Sequence, residues 1–302
     1  MKTFIASLYL SLAFLSSIGQ NYVDLAKVTY TSVPTTTVDS LTNNNSQFEA
    51  PISQTKFLTS VPIKLTDSIT FLTGVDFENH RVQLKEKWSL SSMKVTTLKL
   101  GINIKHNSKL SGTYLLLPKL AGDYGNLSNS FQIGGIALFK YRINPQTKLI
   151  FGNYLNKEIY GLLNVPILGI YHKSKSKKLE ADVKFPIIGY ADYKFHKNLR
   201  FGADFLMIVR TFNLTNGLSS GSYAQLASNE VGGYFQLDLF NESLIIKTKV
   251  IFSMFDYATY LDGASTPFGM FGWYPGDVRD RTNGEFTNNL GFKVSAIYRF
   301  QL

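Results

Sequence analysis

The sequence predicts an all-β protein, a single antiparallel transmembrane β-barrel of about twelve to fourteen strands. Three observations predict it: a final segment of strict period-two alternation, the return of that alternation between short turn signals, and an apolar leader at the start of the chain. In Asn289 to Leu302 (NLGFKVSAIYRFQL), Phe292, Val294, Ala296, Tyr298 and Phe300 share one parity, while Lys293, Ser295, Arg299 and Gln301 share the other. Successive side chains of a strand point to opposite faces, so this segment can turn one face to lipid and the other to a polar lumen.

The leader opens with Lys2, runs through the almost wholly apolar Phe4 to Phe14, and ends in the small-residue stretch Ser17-Ile18-Gly19. That is the pattern of a secretory signal peptide over 1–19, leaving 20–302 as the barrel; an N-terminal anchor is the rival reading. After it, no run reaches the roughly eighteen apolar residues that a spanning helix needs. Tyr and Phe supply 17 and 23 residues, as aromatic girdles at two membrane interfaces would require. The chain has no Cys, which excludes disulfides, thiolate metal sites and a lipid-attachment Cys. The formal charge of +10 would suggest nucleic acid for a cytosolic protein. Behind a secretion signal it fits outer-membrane lipid and lipopolysaccharide phosphates, an anionic solute, or a solvated surface, and no nucleic-acid partner is expected.

Six short turn signals recur: Leu65 to Ser68, His106 to Ser108, Asn144 to Gln146, His172 to Ser174, His196 to Asn198 and Asn241 to Ser243. Each precedes an apolar residue that reopens a strand, so together they mark one rim, the periplasmic one in an outer-membrane barrel. Longer connections fall at Pro34 to Phe48, Asn79 to Ser92, Gly122 to Ser130, Lys157 to Pro166, Asn213 to Ser228 and Leu261 to Asn288. Their polar and Gly content suits the opposite rim, and Thr35 to Ser46 is expected to be mobile. The strands this leaves begin with 27–33, 50–64, 69–78, 94–105, 109–118 and 131–143. They continue with 148–155, 166–172, 178–185, 188–196 and 199–212, and end with 229–240, 244–258 and 289–301. Segments 178–185 and 188–196 can also be read as one strand bent at Pro186.

Facing follows from parity. Leu179, Ala181, Val183 and Phe185 oppose Glu180, Asp182 and Lys184; Phe131, Ile133, Ala137, Phe139, Tyr141 and Ile143 oppose Gln132, Lys140 and Arg142. A charge at the bilayer midplane costs about 2–4 kcal/mol, so the ionised parity must face the lumen. The lumen-lining candidates are Glu180, Asp182, Lys184, Asp192, Lys194, Arg200, Asp204, Arg210, Asp238, Lys247 and Lys249. Two readings stand: an interior filled by salt bridges, or a charged eyelet that orients a solute.

The loop candidates for ligand contact are Trp273, Tyr274, Asp277, Arg279, Asp280 and Arg281, which put aromatics, Arg and Asp in one segment. The rival reading is a loop that folds inward and plugs the lumen. The basic turn His172 to Lys178 (HKSKSKK) is either a contact for anions or a solvated turn whose lysines discourage edge pairing. For an acyl hydrolase, Ser must lie near His with an orienting partner. Of His80, His106, His172 and His196, three fall in short turns and His80 near a loop, so no catalytic residue is assigned and no enzyme is expected. No metal-ligand spacing appears, no metal or cofactor is expected, and Asp277, Asp280 and Glu285 are interrupted by Arg279 and Arg281.

The chain resembles an uncharacterised outer-membrane β-barrel family, a domain of unknown function common in the Bacteroidota. The likeness lies in Asp24 to Tyr30, Val61-Pro62-Ile63-Lys64-Leu65, Leu98-Lys99-Leu100-Gly101, Val165-Pro166-Ile167 and Phe185 to Tyr190. It implies a barrel in the outer membrane of a Gram-negative bacterium, inserted by the barrel-assembly machinery, and carries no catalytic residue. Here Gln301 and Leu302 follow the terminal aromatic Phe300, a departure from the usual aromatic end. The expected role is a passive, porin-like channel for small solutes. A non-conducting structural or surface-binding barrel is the alternative, and an outer-membrane acyl hydrolase a third.

Overall fold

The computed structural model describes residues 22–39, 47–86, 90–215 and 222–301. The expected signal peptide, and the polar stretch from Ser40 to Ser46, lie outside the described residues. Fourteen antiparallel staves form a closed barrel, with Ile52–Thr59 and Val61–Lys64 counted as one interrupted strand. They are β1 (Tyr22–Val33), β2 (Ile52–Thr59 with Val61–Lys64), β3 (Ile69–Val82), β4 (Ser91–Lys105), β5 (Leu110–Gly122), β6 (Phe131–Arg142) and β7 (Thr147–Glu158). Then follow β8 (Gly161–Lys173), β9 (Leu179–Phe185), β10 (Ile188–His196), β11 (Leu199–Leu214), β12 (Ser222–Leu239), β13 (Leu244–Leu261) and β14 (Asn289–Gln301). Every neighbour in sequence is a neighbour in the sheet, and β14 returns to pair with β1 from Tyr22↔Gln301 to Ser32↔Phe292.

Parity decides the two faces as expected. Phe131, Leu168, Phe235, Phe292 and Tyr298 stand exposed on the outside, while Gln132, Glu180, Asp182 and Asp238 of the opposite parity are buried. A soluble surface does not carry apolar side chains on stave after stave, so this exterior is one that lipid covers. Short turns close one rim, and both described chain ends lie there.

Several expected boundaries differ. No long loop covers Lys157 to Pro166: β7 and β8 are joined by a tight turn at Ile159-Tyr160, and their register runs from Thr147↔His172 to Glu158↔Gly161. Gly161 permits it, with φ +148 and a position where a Cβ would meet the Thr266 carbonyl oxygen at 2.1 Å. Strand β3 runs on to Val82, so His80 lies in a strand and not beside a loop. Strand β12 starts at Ser222, well before the expected 229. Segments 179–185 and 188–196 are two strands of a hairpin, paired from Leu179↔Tyr193 to Lys184↔Ile188, and not one bent strand.

Candidate functional site

The long-loop end of the lumen is closed by a packed core. Inward side chains of β3, β4, β11, β12 and β13 (Val82, Val95, Phe212, Leu226, Phe255, Tyr257) meet Val38 and Phe286 from the loops. The end of β11 leans across the lumen to reach β5: Asn213 bridges to Gly122, where a Cβ would meet the Asn213 carbonyl oxygen at 2.6 Å. Thr211 donates through its N–H (2.9 Å) and Oγ1 (2.6 Å) to Glu158 Oε2 on β7. Within this core His80 is fully buried, 3.1 Å by Nδ1 from the Tyr257 hydroxyl and 3.4 Å by Nε2 from Glu78 Oε2. Both ring nitrogens therefore have polar neighbours other than a serine, and among the described residues no serine is paired with His80.

The loop between β13 and β14 packs over this end. Its strand-like piece Phe268–Gly269 pairs in parallel with Leu162 and Leu163 of β8. Arg279 is its anchor, with a side chain only 1 % exposed. Its guanidinium donates to Asp277 (2.8 and 2.7 Å), to the Tyr223 hydroxyl (3.0 Å) and to Gln225 Oε1 (2.8 Å). It also lies over the rings of Tyr160, Tyr260 and Tyr274, at 5.0, 4.4 and 5.2 Å. The hydrogen bond from Arg279 holds the Asp277 carboxyl below the usual carboxylate range, and burial pushes the Tyr274 hydroxyl up to about 12. Arg281 makes a two-pronged pair with Asp256, both contacts 2.7 Å. Of the six loop candidates, Tyr274, Asp277, Arg279 and Arg281 are thus engaged in docking the loop, while Trp273 and Asp280 remain exposed. The inward-folding reading describes this loop.

Below the core the lumen is hollow. A chamber of about 630 Å³ is lined by Glu180, Asp192, Arg200, Asp204, Arg210, Lys247 and Lys249 of the expected set. It meets a second, of about 690 Å³, at Tyr22 and Arg200. That second chamber forms the mouth at the short-turn rim, and Lys173 to Lys178, Lys194 and Lys197 line it. Asp182, Lys184 and Asp238 also face inward, in ion pairs: Lys184–Asp182 at 2.5 Å and Arg200–Asp238 at 3.1 Å. Arg200 further reaches Asp192 at 3.1 Å, Lys194 pairs with Glu242 at 2.5 Å, and Lys249 bridges Asp204 and Glu230. Most of the charges therefore belong to salt bridges, as one of the two readings has it.

Sequence reading missed the charges of β2 to β5 that join this lining: Lys56 and Arg210 share Glu78 (3.0 and 2.5 Å), Lys99 pairs with Asp76 (2.8 Å), and Lys119 with Glu158 (2.9 Å). The same parity rule applied to Lys56 and Glu78, which alternate with Phe57 and Phe77, finds them. Two cations of the inner chamber stand outside the network. Among the described residues neither Lys27 nor Lys247 has a carboxylate oxygen within 4.0 Å. Lys247 instead lies 3.7 Å from the centre of the Tyr234 ring.

No family profile and no curated protein matches this chain. Among solved structures it is similar to the NanC porin (9% identity, TM-score 0.36, 90% of this chain and 98% of that one). It is also similar to an outer-membrane channel from Pseudomonas putida F1 (9%, 0.40, 92% and 96%) and to the Pseudomonas putida toluene transporter TodX (11%, 0.35, 97% and 93%). These likenesses are distant, and the barrel rests on the strand pairing and the apolar exterior described above.

Proposed function

We propose that this protein is a channel for small solutes in the outer membrane of a Gram-negative bacterium, with its short turns in the periplasm and its long loops outside. The observation that carries the reading is the pair of joined, charge-lined chambers that open at the short-turn rim. A barrel serving only as a wall has no use for hollow space edged with lysines. The mouth carries Lys173, Lys175, Lys177, Lys178, Lys194, Lys197 and Arg200 against Glu242, and the inner chamber adds the unpaired Lys27 and Lys247. Their field favours anions. The packed core and docked loop at the other end act as a stopper.

Single-channel recording in planar bilayers tests this, on the refolded wild type and on a deletion variant that lacks residues 264–282 and also carries Phe212→Ala and Phe255→Ala in the packed core. The wild type should be closed or conduct in small steps, and the deletion should open larger steps that prefer anions. A deletion variant that still shows the heat-modifiable mobility of a folded barrel, yet never conducts, would overturn the reading. The packed outer core favours a second reading, a non-conducting surface barrel, and that outcome would establish it.

A further inference from the structure

The barrel wall is not of even height. Strands β9 and β10 turn back at Pro186-Ile187, while β8 and β11 on either side run on toward the long-loop rim. Strand β8 pairs with β9 only through Leu168 to Lys173, and β11 pairs with β10 only through Leu199 to Leu206. Gly161 to Ile167 of β8 and Met207 to Leu214 of β11 thus face each other across a notch in the sheet. Its roof is the Phe268–Gly269 pairing with β8 and the hydrogen bond from the Ile159 N–H to Thr211 Oγ1 (3.0 Å).

Behind the notch lies a cavity of about 330 Å³. Two features separate it from the chambers below. Its lining is mainly apolar, with Leu115, Leu117, Ile136, Leu163 and Val165 on the lumen side. It also touches both edges of the notch, Leu163 and Val165 of β8 and Met207 to Arg210 of β11, with the Pro186-Ile187 turn between them. Met207 at its rim is 36 % exposed and Leu163 within it 2 %, so the lining runs from the outer face inward. Phe271, held in the left-handed region at φ 55°, and Gly272 bring the loop tip against it.

The polar atoms of the lining say what would fit. Asn156 is 2 % exposed and donates its amide to Glu158, but its Oδ1 has no partner among the described residues, nor has Nε of Arg210. Such orphaned groups are costly when buried. One asks for a donor and the other for an acceptor, and a hydroxyl supplies both.

We propose that the notch is a lateral portal in the barrel wall, opening the bilayer to a cavity that takes a small, mostly apolar molecule bearing one hydroxyl group. The volume lies at the low end of small-molecule sites, which suits a single ring or a medium-length chain. Unpaired strand edges at membrane depth are tolerated where they line a cavity and not where they face lipid, which agrees with a cavity behind the notch. The cavity shares Asp76, Ile208 and Arg210 with the inner chamber, so its occupant has a way onward to the short-turn rim. The proposal deepens the channel reading and rests on it only for that onward passage.

Photolabelling of the refolded protein in phosphatidylcholine vesicles tests it without any conductance. Two probes are used separately: a medium-chain alcohol carrying a diazirine, and a phosphatidylcholine with a diazirine on one acyl chain. Adducts are mapped by mass spectrometry, with the lipid-facing Leu116 and Leu168 as internal controls. Both probes should label Leu117 and Leu163 inside the wall, and Leu117→Trp, which fills the cavity, should cut labelling of Leu163 at least tenfold while Leu168 is unchanged. Should Leu117→Trp fail to fold, Ile136→Trp fills the same space from the neighbouring strand. Adducts confined to the outer face overturn the portal. Inner adducts from the alcohol alone overturn the lateral route, since the probe then arrived through the aqueous chambers. Inner labelling by both probes in a protein that never conducts supports the portal while refuting the channel.

Discussion

Replacing Arg279 with Ala should release the loop that closes the outer end of the barrel. The side chain is 1 % exposed and makes two contacts to Asp277, one to Tyr223 and one to Gln225, over three tyrosine rings. A hydrogen bond from a charged donor contributes about 1.5–3 kcal/mol and each ring contact about 0.5–2. These terms are not additive, and the Asp277 side chain is 25% exposed, which screens its share. Asp277 and Tyr274 belong to the same loop, so docking loses the Tyr223, Gln225, Tyr160 and Tyr260 contacts, a net of about 3–5 kcal/mol. At about 1.4 kcal/mol per factor of ten, the undocked population rises between a hundred and several thousand times. Chymotrypsin reads this directly, because Phe268, Phe271, Trp273 and Tyr274 all lie in the loop and cleavage follows the open population. Arg279→Lys keeps the charge but not the planar fork, and should fall between wild type and Ala. The folded barrel, checked by its heat-modifiable mobility, should be intact in both. Cleavage of Arg279→Ala within about threefold of wild type would refute the anchoring argument.

The remaining predictions concern the core, the chamber and pH. Tyr257→Phe removes the hydroxyl that meets Gln54 Nε2 at 3.0 Å and His80 Nδ1 at 3.1 Å, and leaving those buried groups unsatisfied should cost about 1–3 kcal/mol in guanidinium unfolding from vesicles. Arg200→Met strands Asp192 and Asp238, so it should destabilise by about 3–5 kcal/mol and, in the open loop-deleted background, shift the reversal potential in a salt gradient toward cations. Loop docking should hold steady between about pH 5 and 9 and fail at both extremes. On the acid side the Asp277 carboxyl is lowered by its Arg279 hydrogen bond, so its contribution is present above the ordinary carboxylate range and is lost as pH falls through the lowered value. On the alkaline side Tyr274 is raised from 10.0 to about 12, so docking is unaffected below the first value and weakens as pH climbs toward the second. Protease resistance of the loop across that range checks both arms; a flat profile to pH 12 would refute the burial of Tyr274.

Much of this molecule was legible in its sequence because a lipid-facing strand has few ways to be written. Alternation of the Leu179 to Phe185 kind states which face meets lipid, and a turn such as Asn144-Pro145-Gln146 states where the chain reverses. That was enough for a closed barrel of fourteen staves, with the apolar parity exposed and the polar one buried. What was not legible depends on distant partners. Nothing around Arg279 announces that Tyr223 and Gln225, 56 and 54 residues earlier, will hold it. The turn at Ile159-Tyr160 is hidden because the two turn residues are themselves apolar, although Lys157 and Glu158 precede them and Gly161 follows. The notch is invisible for a similar reason: the shortness of β9 and β10 can be read, but not that β8 and β11 outrun them.

The seam between β1 and β14 sets the order in which this molecule can come into being. Arg299 grips Asp24 at 2.6 Å across 275 residues of chain, in the same ladder that joins the first and last staves. Until the final strand has left the ribosome and crossed into its compartment, β1 has an open edge that no other part of the chain is written to satisfy. Contacts of such long separation form slowly, and an exposed strand edge is a template for pairing with other chains. A chain shortened before Asn289 would therefore be an open sheet with two sticky edges, β1 and β13, and not a smaller barrel. The nascent protein has to be kept apart from its neighbours for as long as it takes its own tail to arrive.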